Sequence, residues 1–174
     1  MKSRRDPPDL RPITGRALRS VLDSLRPDLP ERRVLDLYSG KGRFGFGALE
    51  EGAAHVDFVE KHPRVASELK KAAERWKDRS TVHVGDVLHW TAMLREQGKQ
   101  FHVVFADPPF RLWDAEFAER LVSGVHALLM PEAIFLVRYP KRMVVSLPVY
   151  GLQKWKSSIF GESELLYLVK QTNS

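Results

Sequence analysis

An α/β protein is the fold this sequence predicts: a mostly parallel seven-stranded sheet, helices on both faces and a C-terminal antiparallel hairpin. Three features carry that reading. Short apolar runs alternate with segments of helical period, which gives parallel strands joined by covering helices. A glycine loop, Gly40-x-Gly42-x-x-Gly45, follows the first strand directly. The last two apolar runs meet at Phe160-Gly161-Glu162-Ser163 with no helix between them, so they run antiparallel.

The elements follow in chain order. Arg16 to Leu25 places Ala17, Leu18, Val21, Leu22 and Leu25 at helical spacing and stops before Pro27. "RVLDL", Arg33 to Leu37, is a buried strand; after the glycine loop a helix runs through Phe46 to Glu51, and Gly52 ends it. His55–Lys61 is the second strand. Arg64 to Trp76 is an amphipathic helix whose stripe is Val65, Leu69, Ala72 and Trp76. "STVHVGDV" from Ser80 is the third strand, with a helix after it. "FHVVFADPP" from Phe101 is the fourth, closed by two prolines that cannot serve a central ladder. A helix near Phe117–Leu129 leads to a fifth strand, Ala133–Pro140, and Leu152–Lys170 supplies the hairpin.

A length of 174 residues suits a single domain, with residues 1–31 as a basic lead-in and helix and 32–174 as the α/β core. The composition, 43% apolar and 29% charged, is that of a globular chain and excludes disordered and collagen-like classes. No apolar run approaches the ~20 residues of a membrane span. The basic start lacks the apolar stretch of a secretory signal, and the absence of cysteine excludes disulfides and thiolate metal sites, which fits a cytoplasmic protein. Net charge is +6 and unevenly placed. Residues 1–33 hold nine Lys/Arg against five Asp/Glu, residues 134–174 six against two, and residues 34–133 thirteen against fifteen. Basic flanks around an acidic centre suit either an anionic polymer substrate or ordinary solvated surface.

Ligands of such sheets bind at the carboxyl ends of the strands. Here those ends read Asp36-Leu37-Tyr38-Ser39-Gly40, Glu60-Lys61, Asp86-Val87 and Asp107-Pro108-Pro109-Phe110, an acid at each. The glycine pattern is that of a dinucleotide site, yet Asp36 would repel a pyrophosphate. S-adenosylmethionine instead brings an ammonium and a sulfonium. Asp36 suits the amine, the Gly40–Gly42 backbone a close approach, Glu60 the ribose hydroxyls, and Asp86 with the Val87 amide the adenine. Each has a plainer alternative: a strand-end acid for Glu60, a helix cap for Asp86.

Asp107-Pro108-Pro109-Phe110 suits methylation of an exocyclic base amine. A carboxylate and a neighbouring carbonyl accept its two N–H bonds and turn the nitrogen lone pair toward a methyl donor, while Phe110 offers a stacking face. The plainer reading is a strand stop. His55, His62, His83 and His89 lack metal-ligand spacing, so no metal is expected. Lys41 and Arg43 are expected to face solvent and Trp76 to pack a helix on the sheet. Lys154, Trp155 and Lys156 fit RNA contact and a charged edge strand equally well.

"LDLYSGKGRFGFGALEEGA", "VEKH" and "DPPF" resemble the class I S-adenosylmethionine-dependent methyltransferases, which have a Rossmann-like fold. "LRPITGRALRSVL", Leu10–Leu22, and the closing "FGESELLYLV" are similar to segments of the RsmD family of 16S ribosomal RNA guanine-N2 methyltransferases. The resemblance runs from about Leu10 to Val169. It implies that Asp36, Ser39, Gly40 and Gly42 line the methionine end, Glu60 the ribose, and Asp86 and Val87 the adenine, with Lys61 also at the cofactor. It further implies that Asp107, Pro108, Pro109 and Phe110 receive the guanine amine, with Arg11, Thr14 and Arg16 beside the cofactor and the RNA entrance. The expected partner is 16S rRNA or an assembling small subunit, and the expected state a monomer. Adenine-N6 methylation of DNA or RNA, a non-catalytic RNA-binding module and an NAD-dependent dehydrogenase stand as alternatives. Phe110 replaces the family's commoner Tyr, and Ile13, Gly15 and Ser20 also depart from its pattern.

Overall fold

The computed structural model describes residues 13–141 and 151–172. Among these, helices α1 (Gly15–Leu25), α2 (Arg43–Glu50), α3 (Pro63–Ala73), α4 (Val87–Glu96) and α5 (Ala115–His126) alternate with strands β1 (Arg33–Leu37), β2 (His55–Glu60), β3 (Ser80–Val84), β4 (Phe101–Ala106) and β5 (Leu129–Pro140). Strands β6 (Leu152–Phe160) and β7 (Ser163–Lys170) close the sheet.

The strand order is β3-β2-β1-β4-β5-β7-β6. Strands β1 to β5 are mutually parallel, Leu35 aligning with Asp57 on one side and Val104 on the other. Strand β7 enters antiparallel beside β5 and pairs antiparallel with β6, as a direct hairpin requires. The order reverses between β1 and β4, and the carboxyl ends of those two strands carry Asp36 and Asp107.

Strand residues alternate between two apolar layers, which is why "VLDL" and "HVVFA" read as continuous hydrophobic runs. Val34, Val56, Phe58, Val103 and Phe105 pack under Leu18, Leu22, Ala48 and Leu69 of α1 to α3. Leu35, Val59, Val104, Phe135 and Val137 pack under Leu94, Leu121, Val122 and Val125 of α4 and α5. Trp76 joins the first layer, partly buried.

Boundaries move where local chemistry sets them. Helix α2 starts at Arg43, three residues before Phe46, because Gly42 turns the chain with φ +75°. The third strand stops at Val84: Gly85 has φ +147°, and the Asp86 carboxylate caps α4 by accepting from Leu88 N and His89 N. Asp114 caps α5 in the same way at Phe117 N, 2.8 Å, so that helix starts at Ala115. The fifth strand already pairs at Leu129, then slips register before Ile134, with Glu132 at φ +63° in the irregular stretch.

Candidate active site

Asp36 is 2% exposed, and its Oδ2 accepts from Gly45 N in the first turn of α2 at 3.0 Å. Burial lifts its carboxyl well above the ordinary carboxylate range; the Gly45 bond opposes the rise, and the charges of Asp107 and Glu60 add to it. Such a carboxyl gains most from a cation beside it. Glu60, also buried, accepts from Gly40 N and His62 N at 2.8 Å each, and so ties β2 to the glycine loop. Each of its oxygens keeps a second lone pair for a hydroxyl.

The loop glycines divide the work. Gly40 has φ +53° and open space where a Cβ would lie, and it lines the cleft. Gly42 does not line it: a Cβ there would come within 2.5 Å of Leu69 and 2.7 Å of Phe46. Gly42 thus lets the loop pack closely on α2 and α3. Ser39 borders the cleft, but its hydroxyl stitches β1 to β2, donating toward Asp36 O and Val59 O and accepting from Val59 N. Tyr38, a residue the sequence reading left without a role, takes φ +58° and lines the cleft; burial and then the Asp86 charge hold its hydroxyl protonated. Asp86 spends one oxygen as a helix cap, accepting from Leu88 N at 2.9 Å, and sets the other 3.5 Å from Lys61 Nζ. Val87 is buried at the start of α4 and reaches the same cleft.

Asp107 follows the last residue of β4, its side chain 21% exposed. Pro108 is buried, and Pro109 leads into a tight turn over Phe110–Leu112. Behind that turn Trp113 is buried, with its ring edge-on to Phe117 and Tyr139. Arg138 of β5 was not anticipated. It is 7% exposed, its Nη1 stands 3.1 Å from both Asp107 oxygens, and its guanidinium lies 5.2 Å from the centre of the Phe110 ring. Burial raises the Asp107 carboxyl above its ordinary range and Arg138 pulls it part of the way back.

Thr14 and Arg16 do not line this cleft. Thr14 is the N-cap of α1, its hydroxyl accepting from Ala17 N, and Arg16 is exposed. Arg11 lies outside the described residues. Arg43, expected to face solvent, is exposed but donates from Nη1 to Ile13 O at 3.1 Å, fastening the lead-in of α1 to the glycine loop. Ile13, Leu18 and Arg43 all border the cleft.

These groups enclose a cleft of about 940 Å³ that joins the acid rim to the Asp107–Phe110 turn. The volume is at the upper end for small-molecule sites, room for a nucleoside-sized molecule and a further ring. The carboxylate acceptors Asp36, Glu60 and Asp86 and the open, side-chain-free face at Gly40 fit a cationic nucleoside such as S-adenosylmethionine. Among the described residues no group of His, Asp or Glu could hold a metal ion, and no helix is long and apolar enough to cross a membrane.

Strand order, glycine loop and acid rim together define a methyltransferase with a Rossmann-like, class I fold. The chain belongs to the RsmD family, described as conserved hypothetical protein 95, whose model matches residues 3–169. It is 33% identical over 136 residues to the ribosomal RNA small subunit methyltransferase D of Haemophilus influenzae, covering 76% of this chain and 69% of that one. It is 25% identical over 168 residues to the protein of that name from Buchnera aphidicola, covering 95% and 79%. It spans about half (52%) of the Escherichia coli K12 relative, at 33% identity over 110 residues and 61% of this chain. Among solved structures, a hypothetical protein of Thermus thermophilus superposes with TM-score 0.76 at 25% identity, covering 95% and 92%. An RNA methyltransferase of Salinibacter ruber in complex with S-adenosyl-L-homocysteine superposes with TM-score 0.66 at 16% identity, covering 94% and 95%.

Proposed function

We propose that this protein transfers a methyl group from S-adenosylmethionine to the exocyclic N2 amine of a guanine in 16S ribosomal RNA. The observation that carries the reading is the juxtaposition at the switch point: Asp107, both oxygens accepting, beside Phe110 and adjoining a cleft rimmed by Asp36 and Glu60. The names of the relatives supply the RNA class.

When bound, S-adenosylmethionine supplies an electrophilic methyl carbon on a sulfonium. Asp36 would hold its ammonium, Glu60 its ribose hydroxyls through the lone pairs left by Gly40 and His62, and Asp86, Val87 and Tyr38 its adenine end. Asp107 would accept one N–H of the guanine amine and the Pro108 carbonyl the other. That fixes the nitrogen lone pair toward the reacting carbon. Phe110 would stack on the base, which must leave its helix to reach the turn. The amine needs no strong base before attack; its proton becomes acidic afterwards and passes to Asp107 or to water.

As a site assignment, Asp107, Pro108, Pro109 and Phe110 receive the base and Asp36, Gly40, Glu60, Lys61, Asp86 and Val87 surround the cofactor; Ser39 and Gly42 shape the loop beneath. Thr14 and Arg16 belong to the RNA approach rather than to the cleft. We further read the chain as one cytoplasmic, monomeric domain acting on an assembling small subunit.

Transfer of labelled methyl groups to a 16S rRNA transcript, naked and assembled into 30S particles, tests this. N2-methylguanosine in the digested product is the expected result. N6-methyladenosine in its place, or no incorporation into either substrate, would overturn the assignment.

A further inference from the structure

We infer that Arg138 is the positioning residue of this site, fixing Asp107 as a two-oxygen acceptor and fixing the ring on which the base stacks. The inference rests on the reading of Asp107 as the group that receives the guanine amine.

Arg138 sits near the end of the largely apolar stretch "AIFLVRYP", and contacts from several elements hold it. Its Nη1 reaches both Asp107 oxygens at 3.1 Å. Its Nε donates to Ser163 Oγ on β7 at 2.9 Å, and Ser163, 1% exposed, donates in turn to Phe160 O at 2.9 Å. Its guanidinium lies against Phe110, 5.2 Å from the ring centre. A buried ion pair is weak as a device for stability, because removing two charges from water costs about what their attraction returns. A position held by several partners, one of them the acid of the reaction, points instead to control of that acid.

The chemistry fits. Guanine presents two adjacent donors on this edge, N1–H and the N2 amine, so its partner must be acceptor-only. Arginine carries donors alone and is never deprotonated in proteins. Nη1 faces both Asp107 oxygens, so the Arg138 charge favours the charged, accepting form of the carboxyl. Adenine presents one donor beside the N1 lone pair, which a charged carboxylate repels. Other charged groups bordering the cleft are Asp36 on β1, Lys41 in the glycine loop, Glu60 on β2 with Lys61 after it, Arg43 on α2, Asp86 before α4, Arg111 in the turn, and Asp114, Glu116 and Arg120 at and on α5. Among the described residues, Arg138 is the cation in contact with Asp107.

Arg138→Met tests the inference, read in two ways. In methyl transfer to the 16S transcript, the rate at pH 7 is expected to fall about a hundredfold. The acid limb of the pH–rate profile should move up by roughly one unit or more, with S-adenosylmethionine affinity within about threefold. In the isolated protein, carbon-13 carboxyl titration should place Asp107 higher in the variant than in wild type. Should Arg138→Met not fold, Arg138→Lys keeps the charge but cannot span both Asp107 oxygens and Ser163, and a smaller shift in the same direction is expected. A wild-type profile together with unchanged Asp107 titration would overturn the role of Arg138. Full activity in Asp107→Asn would instead overturn the reading of Asp107. The titration remains decisive for Arg138 even if the substrate is not 16S rRNA, since it needs no methyl transfer.

Discussion

Asp36 is buried and Asp107 partly so, but their neighbours differ, and so should the consequences of replacing them. Asp107 is held by a cation already present, Arg138, whereas Asp36 bonds one backbone N–H and faces two acids. We predict that Asp107→Asn lowers methyl transfer by about a hundredfold or more while calorimetry finds S-adenosylmethionine affinity within a few-fold. Asp36→Asn keeps an oxygen for Gly45 N and should weaken the cofactor instead. The sign of its pH dependence follows from burial. The Asp36 carboxyl titrates well above the ordinary range, and only its charged form attracts a cation. Wild-type cofactor affinity should therefore fall as pH drops through that raised value, before ordinary carboxylates protonate, and Asp36→Asn should remove this early loss. Equal pH profiles for the two proteins would show that Asp36 does not meet the amine.

The glycine loop and its helix are built by close packing as much as by backbone freedom. A Cβ at Gly45 would stand 2.2 Å from Phe58 and 2.9 Å from Val56, so α2 rests directly on β2. Gly45→Ala should cost about 1–3 kcal/mol through overpacking, read as a lower urea midpoint, and should weaken the cofactor because Gly45 N positions Asp36. At the other end of the cleft Asp114 caps α5 just after the Asp107–Phe110 turn. Asp114→Ala should cost about 1 kcal/mol, as N-cap losses do, with little effect on cofactor binding. Arg43 acts between elements: Arg43→Gln releases the Ile13 carbonyl and should raise the KM for RNA more than that for S-adenosylmethionine.

Across the whole molecule, stability and recognition are carried by separate charges. Asp57 lies in β2, wholly buried on the sheet face that carries α4 and α5, where His83 Nε2 and Lys99 Nζ approach its Oδ1 at 2.7 and 2.8 Å. Burial pushes its carboxyl up, but the His83 and Lys99 bonds outweigh burial and leave it below the ordinary value. A depressed carboxyl stabilises the fold above its unfolded value, about 3.9, and that contribution disappears as pH falls through the folded value. Lys99→Met should lower stability at pH 7 and shrink the loss between pH 5 and pH 3 in urea unfolding. For recognition, the excess of positive charge lies at the two ends of the chain, and the middle is slightly acidic. The KM for RNA should rise steeply with salt while cofactor affinity changes little, because phosphate contacts release counterions.

The alternation of apolar runs, the glycine loop, the four strand-end acids and the Asp-Pro-Pro-Phe turn were all legible in the sequence, because each depends on residues within a few positions of one another. Strand and helix signals are local, and the rule that ligands sit at strand ends converts them into a rim. What the chain order could not supply was the partner of each polar group. Arg138 reads as one cation in an apolar strand until the sheet brings it against Asp107, 31 residues earlier, and Ser163, 25 residues later. Nor does the sequence show that β2 claims the Ser39 hydroxyl or that Leu69 and Phe46 pack against Gly42. The sequence alone determined which backbone elements form and where charge gathers along them. The tertiary structure alone decided which oxygens are already bonded and which remain for a ligand, because hydrogen bonds and packing saturate by proximity in space.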